Sequence, residues 1–139
     1  NLNTSTLAEA IQKSSQVAIA KVALDRPRDA VFDVLKRSGL GDYVGTGLPG
    51  EVTGLFSNVG MQSRVSRTAM AYGYGFTVTP LQLASAYVAL AGHGSRLPLS
   101  ILRQDRVPEP QQVFDADDSR EVIAMMEREV FVHGLDKGR

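Results

Sequence analysis

TVTPLQLASAYVALAGHG, residues 77–94, carries start, body and stop signals of a helix in one short stretch. Thr79 has the hydroxyl of an N-cap, Pro80 takes the first helical position, and Gln82 stands where a capping box needs it. Leu83, Ala84, Tyr87, Val88 and Ala91 recur at helical spacing and are read as the buried stripe, and Gly92 ends the run. The period is helical rather than alternating, which sets the expected class as mostly α. The rest of the chain is read outward from here.

Upstream, Thr6 followed by Glu9 is another capping box and starts a helix near Leu7. Leu7, Ile11, Ala18 and Val22 fall on one face, but Ser14, Ser15 and Gln16 interrupt it. The pattern therefore predicts two short helices joined by a tight Ser-Ser-Gln connection, with one bent helix as the alternative. Pro27 is expected to open the next helix, Val31, Phe32, Val34 and Leu35 to bury it, and Gly39 to end it. From Gly39 to about Ser66 the chain is rich in glycine and weakly periodic, hence a long irregular segment. Downstream, Leu97 to Leu102 is expected as a short strand. A last helix starts from Asp115 or Asp117 and buries Val122, Ile123, Met126 and Val130.

The 139 residues suffice for one domain with its own core, and 43% hydrophobic with 22% charged residues is ordinary globular composition. Fifteen basic residues balance 15 acidic ones, so no electrostatic footprint for nucleic acid or anionic lipid is present. With no cysteine, thiol catalysis, disulfides and thiolate metal sites are excluded. No apolar run approaches the roughly 20 residues that span a bilayer, and NLNTSTLAEA at the start has no signal-peptide pattern. Both ends read as cut, which suggests a fragment.

Several stretches invite a functional reading. GTGLPG, residues 45–50, matches the dinucleotide pattern by letter, but no buried strand precedes it and no helix follows, so a turn-rich loop is expected. His93 and His133 have no partner at ligand spacing; His93 reads as a helix C-terminal residue. DADD, residues 115–118, lacks the glycine and distal Glu of a calcium loop and reads as helix N-terminal charge. Met125 and Met126 read as core. Tyr72-Gly73-Tyr74-Gly75 reads either as a plain turn or as aromatics presented on a flexible approach to a cleft. Ser14-Ser15-Gln16 reads either as a helix cap or as a hydroxyl and a carboxamide facing a polar site.

Taken in order, KSSQVAIAKVAL (13–24), GLPGE (47–51) and AYGYGFTVTPLQLASAYVALAGHG (71–94) resemble the transpeptidase domain of class B penicillin-binding proteins, of the septal cell-division type. The resemblance runs nearly end to end, through LPLSILRQDRVP (97–108) and the helix around Val122 to Val130. It implies that the chain is the helical part of an α/β, penicillin-binding/serine β-lactamase-like domain, with most of the sheet missing. Such enzymes use three motifs, S-x-x-K, S-x-N and K-[ST]-G. Ser14-Ser15-Gln16 takes the S-x-N place, so Ser14 is implied to join proton transfer, and Gln16 stands where Asn usually holds the substrate amide. Tyr74 matches an aromatic that lines the cleft. SNVG at 57–60 is a decoy for this motif, because it lies in the glycine-rich segment.

No Ser or Thr has a Lys three residues later, and Lys137-Gly138 lacks the intervening hydroxyl residue. The nucleophile and its Lys, and K-[ST]-G, are therefore expected outside residues 1–139, a central fragment of one domain carrying one motif of three. The resemblance implies no metal or organic cofactor. It implies a peptidoglycan stem ending in D-Ala-D-Ala as substrate, β-lactams as covalent ligands, and division proteins as partners of the parent. It also implies the periplasmic side of the inner membrane, with an upstream transmembrane anchor. The fragment alone is expected to be inactive, with exposed apolar faces that favour a homodimer or domain swap. Gln16 in place of Asn leaves a second reading, a non-catalytic helical interaction module derived from the same fold.

Overall fold

The computed structural model describes residues 5–57 and 63–134. In chain order these form α1 (Leu7–Gln12), α2 (Gln16–Asp25), α3 (Ala30–Arg37), α4 (Arg64–Ala71), α5 (Pro80–Ala91), β1 (Ser95–Arg96), β2 (Gln111–Gln112) and α6 (Ala116–Gly134). Residues 58–60 of the SNVG stretch and Lys137-Gly138 lie outside the described residues, as do the side chains of Val130 and His133. The mostly helical expectation holds.

Helix α1 packs on α6, α2 on α4, and α5 on both β1 and α6. Ala10 is the buried residue of α1, Ala23 that of α2 and Met70 that of α4. Leu7 and Val22, expected on the buried face, are instead largely exposed. A small side chain lets two helix backbones approach, so the alanines rather than the branched residues end inside. An aromatic row joins the other elements: Phe32 of α3 stacks on Phe56 at 4.8 Å, and Phe76 meets Phe56 edge-on at 5.5 Å.

Three features differ from the sequence expectation. Helix α4 was not expected; it begins at Arg64, inside the segment read as irregular, where Ser63 Oγ caps it by accepting the Ser66 N–H. Pro27 does not open α3; it begins a turn in which the Ala30 N–H donates to the Pro27 carbonyl at 3.0 Å, and α3 starts after it. The expected strand at 97–102 is absent, because Pro98 has no N–H to offer and the Ser100 hydroxyl takes the Leu102 amide locally. Pairing occurs just before it, with Ser95 opposite Gln112 and Arg96 opposite Gln111 in antiparallel register.

Helix α5 has its predicted capping box, with Thr79 Oγ1 and Gln82 Oε1 each accepting a backbone N–H. Its buried face is not the predicted one. Gln82, Ser85 and Ala89 are inside, while Leu83 is 46% and Tyr87 52% exposed. The cause is Gln82, whose Nε2 donates to the carbonyls of Asp42 (2.7 Å) and Thr53 (2.9 Å). Those bonds draw the irregular 42–53 segment onto the polar face of the helix, and the small Ser85 and Ala89 allow the close approach. The apolar face is left lining a groove of about 590 Å³ with Leu35 of α3, Leu40 just after it, and Val122 and Met126 of α6.

Candidate functional site

Four helix ends share one geometry, and it decides what Ser14 is. In a Schellman ending the residue after the C-cap is left-handed, and its N–H and the next one fold back onto carbonyls of the last turn. Gly39 (φ +100°) and Gly73 (φ +87°) do this after α3 and α4. Ser14 does the same after α1 with φ +47°: its N–H donates to the Ile11 carbonyl at 3.0 Å, and the Ser15 N–H donates to Ala10 at 2.8 Å. His93 takes the position after α5, with φ +55°.

The left-handed region costs an L-residue about 1 kcal/mol or more relative to glycine. At two of these positions the chain uses the residue that avoids that cost, and at Ser14 and His93 it does not. Nor does Ser14 act as the cap of α2. That role belongs to Ser15, whose Oγ accepts from the Ala18 N–H at 3.3 Å. Ser14 is exposed, and among the described residues its Oγ makes no hydrogen bond. Gln16, the first residue of α2, is exposed beside it, so the structure brings these two together on one rigid connection. Their exposure differs from a burial role and suits ligand contact.

Tyr74 sits on the Schellman turn that ends α4, its N–H donating to Ala69 at 2.9 Å, and its side chain is 64% exposed. Because α4 packs on α2, the turn and the connection are carried by one helix pair. Among the described residues no hydrogen bond joins Tyr74 to Ser14 or Gln16. No Lys, His or carboxylate is bonded to Ser14 Oγ either, so this hydroxyl has nothing here to activate it as a nucleophile.

The GTGLPG loop holds no helix, as expected, and the amides at its start are already engaged. Glu51 folds back so that its carboxylate accepts the N–H groups of Val44 (2.5 Å), Gly45 (3.0 Å) and Thr46 (3.1 Å) and the Thr46 hydroxyl (2.8 Å). A nest of backbone amides that could cradle a phosphate is thus closed by an internal anion. The Thr46 hydroxyl lowers the Glu51 pKa below the ordinary 4.5; burial opposes this, and the Gly45, Val44 and Thr46 amides add to the lowering. A depressed carboxylate pKa stabilises the fold above its unfolded value and loses that effect as the pH falls through the folded one. Melting curves of the wild type and Glu51→Gln should therefore differ fully at neutral pH. The difference should shrink once the pH drops below 4.5 and vanish when Glu51 is protonated. A gap independent of pH would contradict the latch.

Elsewhere, Asp115 caps α6 with its Oδ1 accepting from Asp117 and Asp118 amides, as the charge pattern indicated. Among the described residues no group of three His, Cys, Asp or Glu could hold a metal ion. No helix among them is long and apolar enough to cross a membrane. Sequence reasoning missed Glu51 as a latch, although a carboxylate directly after a glycine-rich run was the available signal. It missed the second role of Gln82 and any role for Arg67, whose partners lie about 40 residues away in sequence.

Residues 1–134 match the family described as the penicillin binding protein transpeptidase domain. Peptidoglycan D,D-transpeptidase FtsI of Escherichia coli K12 is 40% identical over 122 residues, 88% of this chain and 21% of that protein. The probable peptidoglycan D,D-transpeptidase PenA of Neisseria gonorrhoeae is 34% identical over 116 residues, 84% of this chain and 20% of its own length. The apo transpeptidase domain of Burkholderia pseudomallei penicillin-binding protein 3 superposes with a TM-score of 0.85 at 32% identity, covering 94% of this chain and 40% of that one. The chain thus spans about a fifth of the length of these curated relatives. On this evidence the chain belongs to the class B penicillin-binding protein transpeptidase family.

Proposed function

We propose that residues 1–139 are a central part of a serine D,D-transpeptidase that cross-links peptidoglycan stems during cell division. The observation that carries this reading is Ser14, held left-handed at a glycine position with a free hydroxyl while its neighbour does the capping. The relatives' names supply the reaction class. In the complete protein a serine outside this chain attacks the D-Ala-D-Ala carbonyl, its proton passes to the departing D-Ala amine, and an acyl-enzyme forms. The amine of a second stem then attacks the ester and restores the serine. Ser14 lies in the proton path, Gln16 holds the acyl-chain amide, and Tyr74 borders the cleft. A β-lactam stops at the acyl-enzyme. The complete protein is placed on the periplasmic side of the inner membrane by an upstream anchor and meets other division proteins there.

Intact mass before and after incubation with penicillin tests this. The complete protein should gain one drug molecule, and residues 1–139 alone should gain none. Gln16 in place of Asn favours the competing reading of a non-catalytic helical module, and a complete protein that takes up no drug would establish that instead. An adduct on the isolated chain would show that a nucleophile is present in it after all.

A further inference from the structure

Helices α2 and α4 are joined by one side chain. Arg67 of α4 directs its Nη2 at two carbonyls on the C-terminal end of α2, Ala23 at 3.1 Å and Arg26 at 2.9 Å. Its Nε is buried and has no hydrogen-bond partner among the described residues. A cation at a helix C-terminus is favourable, since the unpaired carbonyls there carry partial negative charge. One guanidinium nitrogen thus ties two carbonyls of α2 to α4, which fixes the two helices against each other at this end.

The two ends of this helix pair explain the placement. Helix α2 begins at Gln16, directly after Ser14 and Ser15, and α4 ends in the turn that presents Tyr74. With 10 residues, α2 is a rod of about 15 Å. A small tilt at the end gripped by Arg67 becomes a displacement of the other end, where Ser14 and Gln16 sit.

We infer that Arg67 is a positioning residue that sets Ser14 and Gln16 relative to Tyr74 by clamping the far end of α2. Among the described residues it makes no hydrogen bond to any of the three. This inference rests on the transpeptidase reading for its catalytic consequence, but not for its structural one. Misplacement of a catalytic group by about 1 Å can cost on the order of 100-fold in rate, and a partial loosening should cost about tenfold.

The test uses the complete protein with Arg67→Ala and Arg67→Lys, the latter keeping the charge but not the fork that reaches two carbonyls. Amide hydrogen exchange at residues 15–19, remote from the substitution, should speed up while the global melting point moves little. Penicillin acylation per folded molecule should fall about tenfold, and the fall should shrink when Gln16 is already replaced by alanine. Unchanged exchange at 15–19 would overturn the clamp, whatever the activity. Wild-type acylation in Arg67→Lys, or an undiminished loss in the Gln16→Ala background, would overturn its link to Ser14 and Gln16. A wild type that resists penicillin would instead sink the transpeptidase reading, with the exchange data still deciding the clamp. If Arg67→Ala fails to fold, Arg67→Lys decides alone.

Discussion

Replacing Ser14 by glycine in the complete protein is expected to abolish most of its activity while leaving the fold as stable as before or more so. Loss of a group that moves a proton in the transition state typically costs 10²–10⁴-fold, so penicillin acylation and stem cross-linking should fall by about that range. Stability should move the other way. Ser14 has φ +47°, where an L side chain crowds its own backbone, and glycine removes a strain of about 1 kcal/mol, offset in part by the looser unfolded chain. Ser14→Ala separates the two effects, since it deletes the hydroxyl but keeps the Cβ. It should be as inactive as Ser14→Gly and less stable. The measurement is a paired one, acylation rate and melting point for each variant. Acylation of Ser14→Ala at the wild-type rate would falsify the assignment of Ser14 to the proton path. A Ser14→Gly protein that melts well below wild type would show that the serine contributes to the fold in a way its geometry does not reveal.

The largest loss of stability is expected at Gln82. The side chain is 1% exposed and completes three bonds, accepting the Thr79 N–H and donating to the Asp42 and Thr53 carbonyls. Gln82→Leu keeps the volume but leaves those three groups short of a partner, and each buried orphan costs about 1–3 kcal/mol. A total of about 3 kcal/mol or more should lower the melting point by about 10 °C in a domain of this size. Gln82→Glu distinguishes the two roles of the residue. As a capping-box residue, glutamate serves as well as glutamine. As the anchor of the 42–53 segment it fails, because a carboxylate cannot donate to two carbonyls and is repelled by them. The structure therefore predicts that Gln82→Glu is at least as damaging as Gln82→Leu. A harmless Gln82→Glu would mean that only the cap matters.

Helices α1, α2, α5 and α6 were legible in the chain, as was the break at residues 13–16, whereas α4 was not expected and α3 starts later than Pro27 suggested. Thr6, Thr79 and Asp115 announce the starts of α1, α5 and α6 because a cap is a contact between residues two or three apart. The glycine-rich pattern of 45–50 likewise excluded a dinucleotide loop on local grounds. The resemblance that singles out Ser14, Gln16 and Tyr74 as candidates also rests on order and spacing along the chain. Which face of each helix ends inside was not legible. Leu83 and Tyr87 look like core by periodicity, yet Gln82, Ser85 and Ala89 are inside, because carbonyls 29 and 40 residues upstream in sequence draw the glutamine in. The same holds for Ala10 and Ala23 against Leu7 and Val22, where backbone approach between distant helices outweighed side-chain size. The left-handed conformation of Ser14 falls between these cases. The turn was predictable, but that Ser15 takes the cap and leaves Ser14 free follows only from the placed backbone. Contacts within a helical turn depend on nearest neighbours and are written in the sequence. Burial and the exposure of the site residues depend on which remote segments arrive first and closest, and only the tertiary structure decides that.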